Sequence, residues 1–215
     1  MNGDNIRTSC IRCGQCCIKG GPTLHQEDVC LLNDGVLQPG DLFTIRAGEP
    51  IRDPVKGIIV QTPIELVKIK GVPGSWACKF FDPAAKACNI YENRPLECRV
   101  LKCWHPEDSI RLFMHDVLSR SAVIPEGSFL YEVISSYEAR FSAAAFIELF
   151  TSTIPLGGSA ALYKIDEKID LDNTFRREFI EFFGIEATVM DFFFGRPLKD
   201  IAAPLMKKTL KGGYP

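Results

Sequence analysis

Nowhere in this 215-residue chain is there an apolar run long enough to cross a bilayer, which takes about 20 residues. The longest nearly apolar stretch, FSAAAFIELF, is half that length and carries Glu148. The segment MNGDNIRTSC has no apolar signal-peptide core and no lipidation signature. Charge of one sign is also missing: the formal net charge is −2, and the only basic run is MKKTLKGG near the tail. Such a balance gives no general attraction to nucleic acid or to anionic membranes. The expectation is a cytoplasmic protein with neither nucleic acid nor membrane as a partner.

Recognisable catalytic devices are absent as well. There are three histidines, and none reads as catalytic. His25 falls in the first turn of an expected helix, on the surface, and His115 lies off an apolar stripe and faces solvent. The loop PLGGSA, residues 155 to 160, lacks the preceding strand, the Lys-Ser/Thr ending and the GxGxxG pattern of a phosphate loop. DEKIDLDN places Asp170 and Asp172 close together without the glycine and distal glutamate of a calcium loop, so it reads as a solvated acidic segment. The radical S-adenosylmethionine spacing CxxxCxxC does not occur. No general base or nucleophile stands out, and whether the chain is an enzyme is left open.

What the sequence does hold is cysteine: nine, all between positions 10 and 103. Cytosolic thiols are kept reduced, and an odd number leaves one over in any fully paired scheme, so a disulfide framework is disfavoured. Metal binding is the better account. One group is Cys10, Cys13, Cys16 and Cys17, within SCIRCGQCC; the other is Cys78, Cys88, Cys98 and Cys103. Two residues between cysteines let a tight turn aim both thiolates at one ion. Three such cysteines in series with a distant fourth also suit a cubane cluster. A bacterial ferredoxin run would continue with three residues and Cys-Pro, whereas this one continues at once with Cys17.

Adjacent side chains are expected to diverge, so Cys16 and Cys17 are assigned to different metals or different irons. Cys10, Cys13 and Cys16 with one distant cysteine then form one site, and Cys17 with the others forms a second. An iron–sulfur cluster and zinc both stay open as the cofactor. Arg12 and Lys19 flank the first group, and Lys79, Arg94, Arg99 and Lys102 sit among the second, where they could offset thiolate charge or be ordinary surface charges. Cys30 stands alone and is expected as a packed thiol. His105 is near enough to Cys103 to replace a cysteine as ligand, though eight sulfurs make it superfluous.

The 46% hydrophobic content is enough for a core without cross-links. PTLHQEDVCLLNDG predicts a short helix, with Thr23 and Gln26 at capping-box spacing, Val29 and Leu32 inward and Gly35 as its end. GIIVQTPIELVKIKG predicts one or two strands broken at Pro63, and CKFFDPAAKACNIY two extended arms around Asp82-Pro83. Beyond Trp104, Ile110, Phe113, Met114, Val117 and Leu118 have the spacing of one helix. Ser128 caps a second running to about Phe150, with Phe129, Val133, Tyr137 and Phe141 inward, stopped by Pro155 and two glycines. A third carries Phe175, Phe179, Phe182 and Phe183 to Gly184, and IEATVMDFFFG is a fourth ending at Gly195. The phenylalanine stripes read as core or contact surface, with a protein partner as a further reading. The expected fold is α+β and mainly α: a small irregular cysteine-rich module with a short hairpin, residues 1–106, packed on a helical region, residues 107–215. Oligomeric state is not legible.

CIRCGQCC followed by CKFFDPAAKACNIYENRPLECR resembles the YkgJ-type cysteine cluster family, a zinc- or iron-chelating domain with the pattern CxxCxxCC and then C…C-x-IY-x-x-RP-x-x-CR. Cys88, Ile90, Tyr91, Arg94, Pro95, Cys98 and Arg99 match the second half residue by residue. The resemblance covers roughly residues 10 to 103. It implies metal binding by the cysteines of that pattern, Cys10, Cys13, Cys16, Cys17, Cys78, Cys88 and Cys98, to which the spacing adds Cys103 as the eighth sulfur. The family also includes flagellin lysine N-methylase-like proteins, which implies a protein-lysine methyl transfer with S-adenosylmethionine as the alternative to a structural, redox or metal-handling role.

Overall fold

The computed structural model describes residues 10–54, 56–153 and 159–210. In chain order the elements are α1 (Val29–Asn33), β1 (Leu42–Ile45), β2 (Pro50–Arg52), β3 (Ile59–Gln61), β4 (Leu66–Ile69), β5 (Phe81–Asp82) and β6 (Ala87–Cys88). There follow α2 (Leu96–Val100), α3 (Glu107–Leu112), α4 (Phe129–Arg140), α5 (Ala143–Thr153), α6 (Ser159–Phe183), α7 (Met190–Phe194) and α8 (Leu198–Leu210). The strands pair as β1 with β4, β2 with β3 and β5 with β6. The fold is α+β and mainly α, as its composition and periodicity indicate. Two compact units divide the chain: Met1–Gln38 with Lys68–Leu118, and Pro39–Val67 with Ser119–Pro215.

The first unit carries every cysteine and has little regular structure. Leu24, Leu31, Leu37, Ile69 and Leu118 are buried in it. The expected first helix forms as a 3-10 turn, Gln26–Asp28, running into α1, and Gly35 ends it at φ +72° with its N–H on the Leu32 carbonyl. Its capping pair is His25 and Asp28 rather than Thr23 and Gln26. The tighter 3-10 entry, at about three residues per turn, also shifts the inward face, and Leu31 is the buried residue where Val29 and Leu32 were expected.

The expected helix over Ile110 to Leu118 is cut short. α3 stops at Leu112; Met114 and Asp116 take φ of +60° and +47°. Here pairing with residues 24 to 26 overrides periodicity. The Gln26 amide donates to the Asp116 carbonyl at 2.8 Å, the Leu118 amide to the Leu24 carbonyl at 2.9 Å, and Val117 bridges His25. The hairpin expected around Asp82-Pro83 is present as β5 and β6, with Phe81 opposite Cys88. Asp82 Oδ1 accepts the amides of Ala84 and Ala85 and so shapes the turn.

In the second unit the break at Pro63 separates β3 from β4, as the sequence indicates. Ser128 caps α4, its Oγ accepting the Tyr131 amide at 3.3 Å. The single helix expected to Phe150 is instead α4 and α5, interrupted at Phe141, whose carbonyl accepts Arg46 Nη1 at 2.8 Å. Tyr137 and Phe141 are buried, whereas Phe129, expected inward, is 67% exposed and meets Phe183 at the surface. Phe175, Phe179 and Phe194 pack with Tyr137 into an aromatic core, but Phe182 is 83% exposed. α6 ends at Gly184 and α7 at Gly195, both at positive φ. The stop expected at Pro155, Gly157 and Gly158 lies outside the described residues.

The acidic segment is not simply solvated. Asp170 is exposed, but Asp172 is fully buried within α6, accepting Tyr137 Oη at 2.7 Å, Arg176 Nε at 2.9 Å and the Leu198 amide at 2.7 Å. A carboxylate with three donors can be buried at tolerable cost, which periodicity alone does not reveal.

Candidate metal centre

β4 and its continuation are the line along which the two cysteine groups meet. On one side Thr23 bridges Lys68, and the Ile69 amide donates to the Pro22 carbonyl at 3.0 Å, which fixes the chain just after the first group. On the other side Gly71 bridges Cys78, the first cysteine of the second group. Gly21 permits the first contact, because a Cβ there would lie 2.2 Å from the Ile69 carbonyl oxygen. The Cys78 amide then donates directly to the Cys17 carbonyl at 2.8 Å, so the two groups touch through their backbones.

The loop bearing the first group rests on the hairpin. Gly14, at φ +74°, lies so close to Phe81 of β5 that a Cβ would fall 2.4 Å from the ring. Glycine is therefore required there on both conformational and steric grounds. Its carbonyl accepts the Ile18 amide at 3.0 Å, closing a turn that carries Cys16 and Cys17. Across the hairpin, Phe81 is paired with Cys88.

Five thiols share one electrostatic neighbourhood: Cys16, Cys17, Cys78, Cys88 and Cys98. Burial pushes the Cys17 thiol up to about 12, helped by Cys16, Cys78 and Cys88. Burial also raises Cys78, with Cys88 and Cys16 adding to it and the Phe80 amide opposing. For Cys98 burial again leads, followed by Glu97, Cys78, Cys16 and Cys17. Cys17, Cys78 and Cys98 resist ionising because each is desolvated near other thiols. A cation in their midst would remove that resistance.

The expected divergence of Cys16 and Cys17 does not occur. Their sulfurs are 3.8 Å apart, which is roughly the 3.8 Å edge of a tetrahedron with zinc–sulfur bonds of about 2.3 Å. Cys16 is helical in φ and ψ and leads into the turn Cys17–Lys19, whose curvature lets neighbouring side chains converge. Cys10, Cys13 and Cys103 are exposed. Among the described residues, no three Cys, His, Asp or Glu side chains are drawn together closely enough to hold an ion as they stand. The donor set fits a thiolate-bound metal, and binding would require the thiols to close.

Around these sulfurs the family-motif residues have clear tasks. Two guanidinium groups lie over the Tyr91 ring, Arg94 at 3.6 Å and Arg12 at 4.3 Å from its centroid. The Arg12 contact ties the Cys10 to Cys13 segment to the IYENRP segment. Arg99 pairs with Glu27 at 2.6 Å and donates from Nε to the Arg94 carbonyl. Lys102 pairs with Asp108 and Lys79 lies over Phe80, so both are engaged locally.

Sequence reasoning missed three residues. Asp28 accepts the amides of His25 and Leu96, fastening α2 and its Cys98 to the segment after the first group. Glu97 accepts the Thr23 amide. Lys68 donates to Thr23 Oγ1 at 2.9 Å. Lys68 had one legible signal, a lysine within the otherwise apolar run Leu66, Val67 and Ile69. Asp28 and Glu97 had none, since their partners are 68 and 74 positions away.

Two other expectations are corrected. Cys30 is exposed, its thiol donating to the Glu27 carbonyl, because α1 turns Leu31 inward instead. His25 is buried, with Nδ1 2.8 Å from the His115 carbonyl oxygen, because its segment pairs with residues 116 to 118. His115 and His105 are exposed.

Residues 9–116, half of the chain, match the model of the CxxCxxCC family, which carries the description "Putative zinc- or iron-chelating domain". Neither a curated protein nor a solved structure matches the chain. No helix among the described residues is long and apolar enough to cross a membrane.

Proposed function

The chain belongs to the CxxCxxCC family, and on that premise we propose that its first unit holds a zinc or iron ion through four thiolates, as a structural or metal-handling module. Cys17, Cys78, Cys88 and Cys98 are the more buried thiols and would be the ligands. Cys16, 3.8 Å from Cys17, would lie within reach of the same ion, and the exposed Cys10, Cys13 and Cys103 are left for a second position. When bound, the ion supplies positive charge that the crowded thiols lack, and its ligation ties together segments remote in sequence.

The observation that carries this reading is the meeting of the two cysteine groups: the Cys78 amide donates to the Cys17 carbonyl at 2.8 Å, and the Cys16 and Cys17 sulfurs lie 3.8 Å apart. It favours separate four-thiolate ions over a cubane on CxxCxxC. A cubane would gather Cys10, Cys13 and Cys16, whereas here Cys16 keeps company with Cys17 and the distant group. Anaerobic purification followed by zinc, iron and acid-labile sulfide assays tests the proposal. Zinc or iron near one or two per chain with no sulfide is expected. Matched iron and sulfide would overturn the four-thiolate reading, and a protein that takes up neither metal would overturn metal binding altogether.

A further inference from the structure

Lys68 occupies a place that folding alone does not favour. It lies on β4, the strand that joins the two cysteine groups, flanked by the buried Val67 and Ile69. Its ammonium donates to Thr23 Oγ1 at 2.9 Å, and Thr23 in turn donates its amide to Glu97, the residue beside Cys98. Lys68, Thr23 and Glu97 therefore make a short polar chain against the wall of the thiol cluster. Burial pushes the lysine pKa down, while Glu97 and Cys98 push it back up. A half-buried lysine whose ammonium donates to a neutral hydroxyl is costly to hold there, and an apolar side chain of similar length would relieve that cost.

A thiolate-bound metal changes this balance. Four thiolates around a divalent ion leave a net charge of about −2 in a partly buried place. A fixed cation nearby then becomes favourable. We propose that Lys68 is the positioning cation of the thiolate site, held by Thr23 beside Cys98 to offset the excess negative charge of the loaded centre. The lysine does not ligate the metal; it acts through the thiolates. Thr23 fixes where the charge sits, and Glu97 takes the Thr23 amide and so holds Thr23 in place.

This role rests on the metal-binding reading above and deepens it. It predicts a split that a merely structural lysine would not give. In the full chain, K68M should lower zinc affinity about tenfold or more, the scale of outer-shell effects on metal sites. The affinity is read by competition with a chromogenic chelator. The melting temperature of the metal-free protein should be unchanged or higher, because a part-buried charge has gone. K68R should restore most of the affinity, and T23V should lower it in the same direction by less. An unchanged zinc affinity in K68M would overturn the proposal, as would a fall in affinity matched by an equal fall in metal-free stability. A wild-type chain that binds neither zinc nor iron would overturn the metal-binding reading and this one with it. Wild-type binding with an indifferent K68M would overturn this one alone.

Discussion

Oδ1 of Asp28 accepts the Leu96 amide at 2.8 Å, holding the first turn of α2 from a residue 68 positions earlier. Its other oxygen accepts the His25 amide at 2.9 Å, so one buried carboxylate fastens the segment after the first cysteine group to the helix that carries Cys98. Asp28→Asn would set an amide donor against one of these two N–H groups. Leaving a buried donor unsatisfied costs about 1–3 kcal/mol. Denaturant unfolding of the variant should show a loss of that size, and a neutral substitution would contradict the fastening role.

Asp28 also sets a pH trend. Burial raises its pKa above the ordinary aspartate value, outweighing the two amides and the nearby His25 and Arg99 that lower it. A raised folded-state pKa means that the folded chain holds the proton more tightly than the unfolded one. This contribution is therefore full below the unfolded pKa and lost as pH rises through the folded one. The stability advantage of wild type over D28N should widen as pH falls from neutrality into the carboxylate range. A narrowing gap on acidification would show that the hydrogen bonds, rather than burial, dominate.

At Gly14 the conformational and steric demands can be separated. Its φ is +74° and an added Cβ would lie 2.4 Å from the Phe81 ring. Gly14→Ala should cost about 1–3 kcal/mol through strain at a left-handed position together with the displaced ring. Adding Phe81→Ala should recover the steric part but not the conformational part. The readouts are unfolding of the first unit and metal content per chain. Full recovery in the double variant would assign the whole effect to the ring.

Local signals were legible in the sequence, and their tertiary setting was not. The cysteine spacing and the RPLECR segment pointed to one composite site, and Gly35, Gly184 and Gly195 marked helix ends correctly, because these signals are local. The helix expected through Met114 and Val117 failed where that segment pairs with residues 24 to 26, an arrangement no local window contains. Asp172 failed as a solvated residue for the same reason: its three donors come from α4, its own helix and α8. That residues 39–67 fold with the helices, although they separate two parts of the cysteine-bearing unit, is a tertiary fact with no signature in periodicity.

Asp172 supports a prediction of its own. It satisfies Arg176 and Tyr137 in the buried interior of the second unit. Removing one partner of a buried pair leaves an uncompensated charge, at about 3–5 kcal/mol. Asp172→Ala should lower the melting temperature of the helical unit while metal content per chain measured below that transition stays at the wild-type value. Loss of metal in a still-folded variant would contradict the division of labour between the units.

Metal removal should act on the other unit first. α1 and α2 have five residues each, and β5 and β6 two each, all far below the length at which such elements persist alone. Their order depends on contacts between remote segments, among them the Cys78 amide on the Cys17 carbonyl and the Leu96 amide on Asp28. Closure of the thiols around a metal would strengthen these contacts directly, and its loss would return the sulfurs to mutual crowding. The second unit has the 25-residue α6 and an aromatic core that uses no cysteine. After chelation, hydrogen exchange should therefore accelerate across residues 10–38 and 68–103 while α4 to α8 keep their protection. A separate early melting transition should appear at the same time. Identical exchange and a single unchanged melting curve with and without metal would show that the thiol cluster does not hold the first unit together.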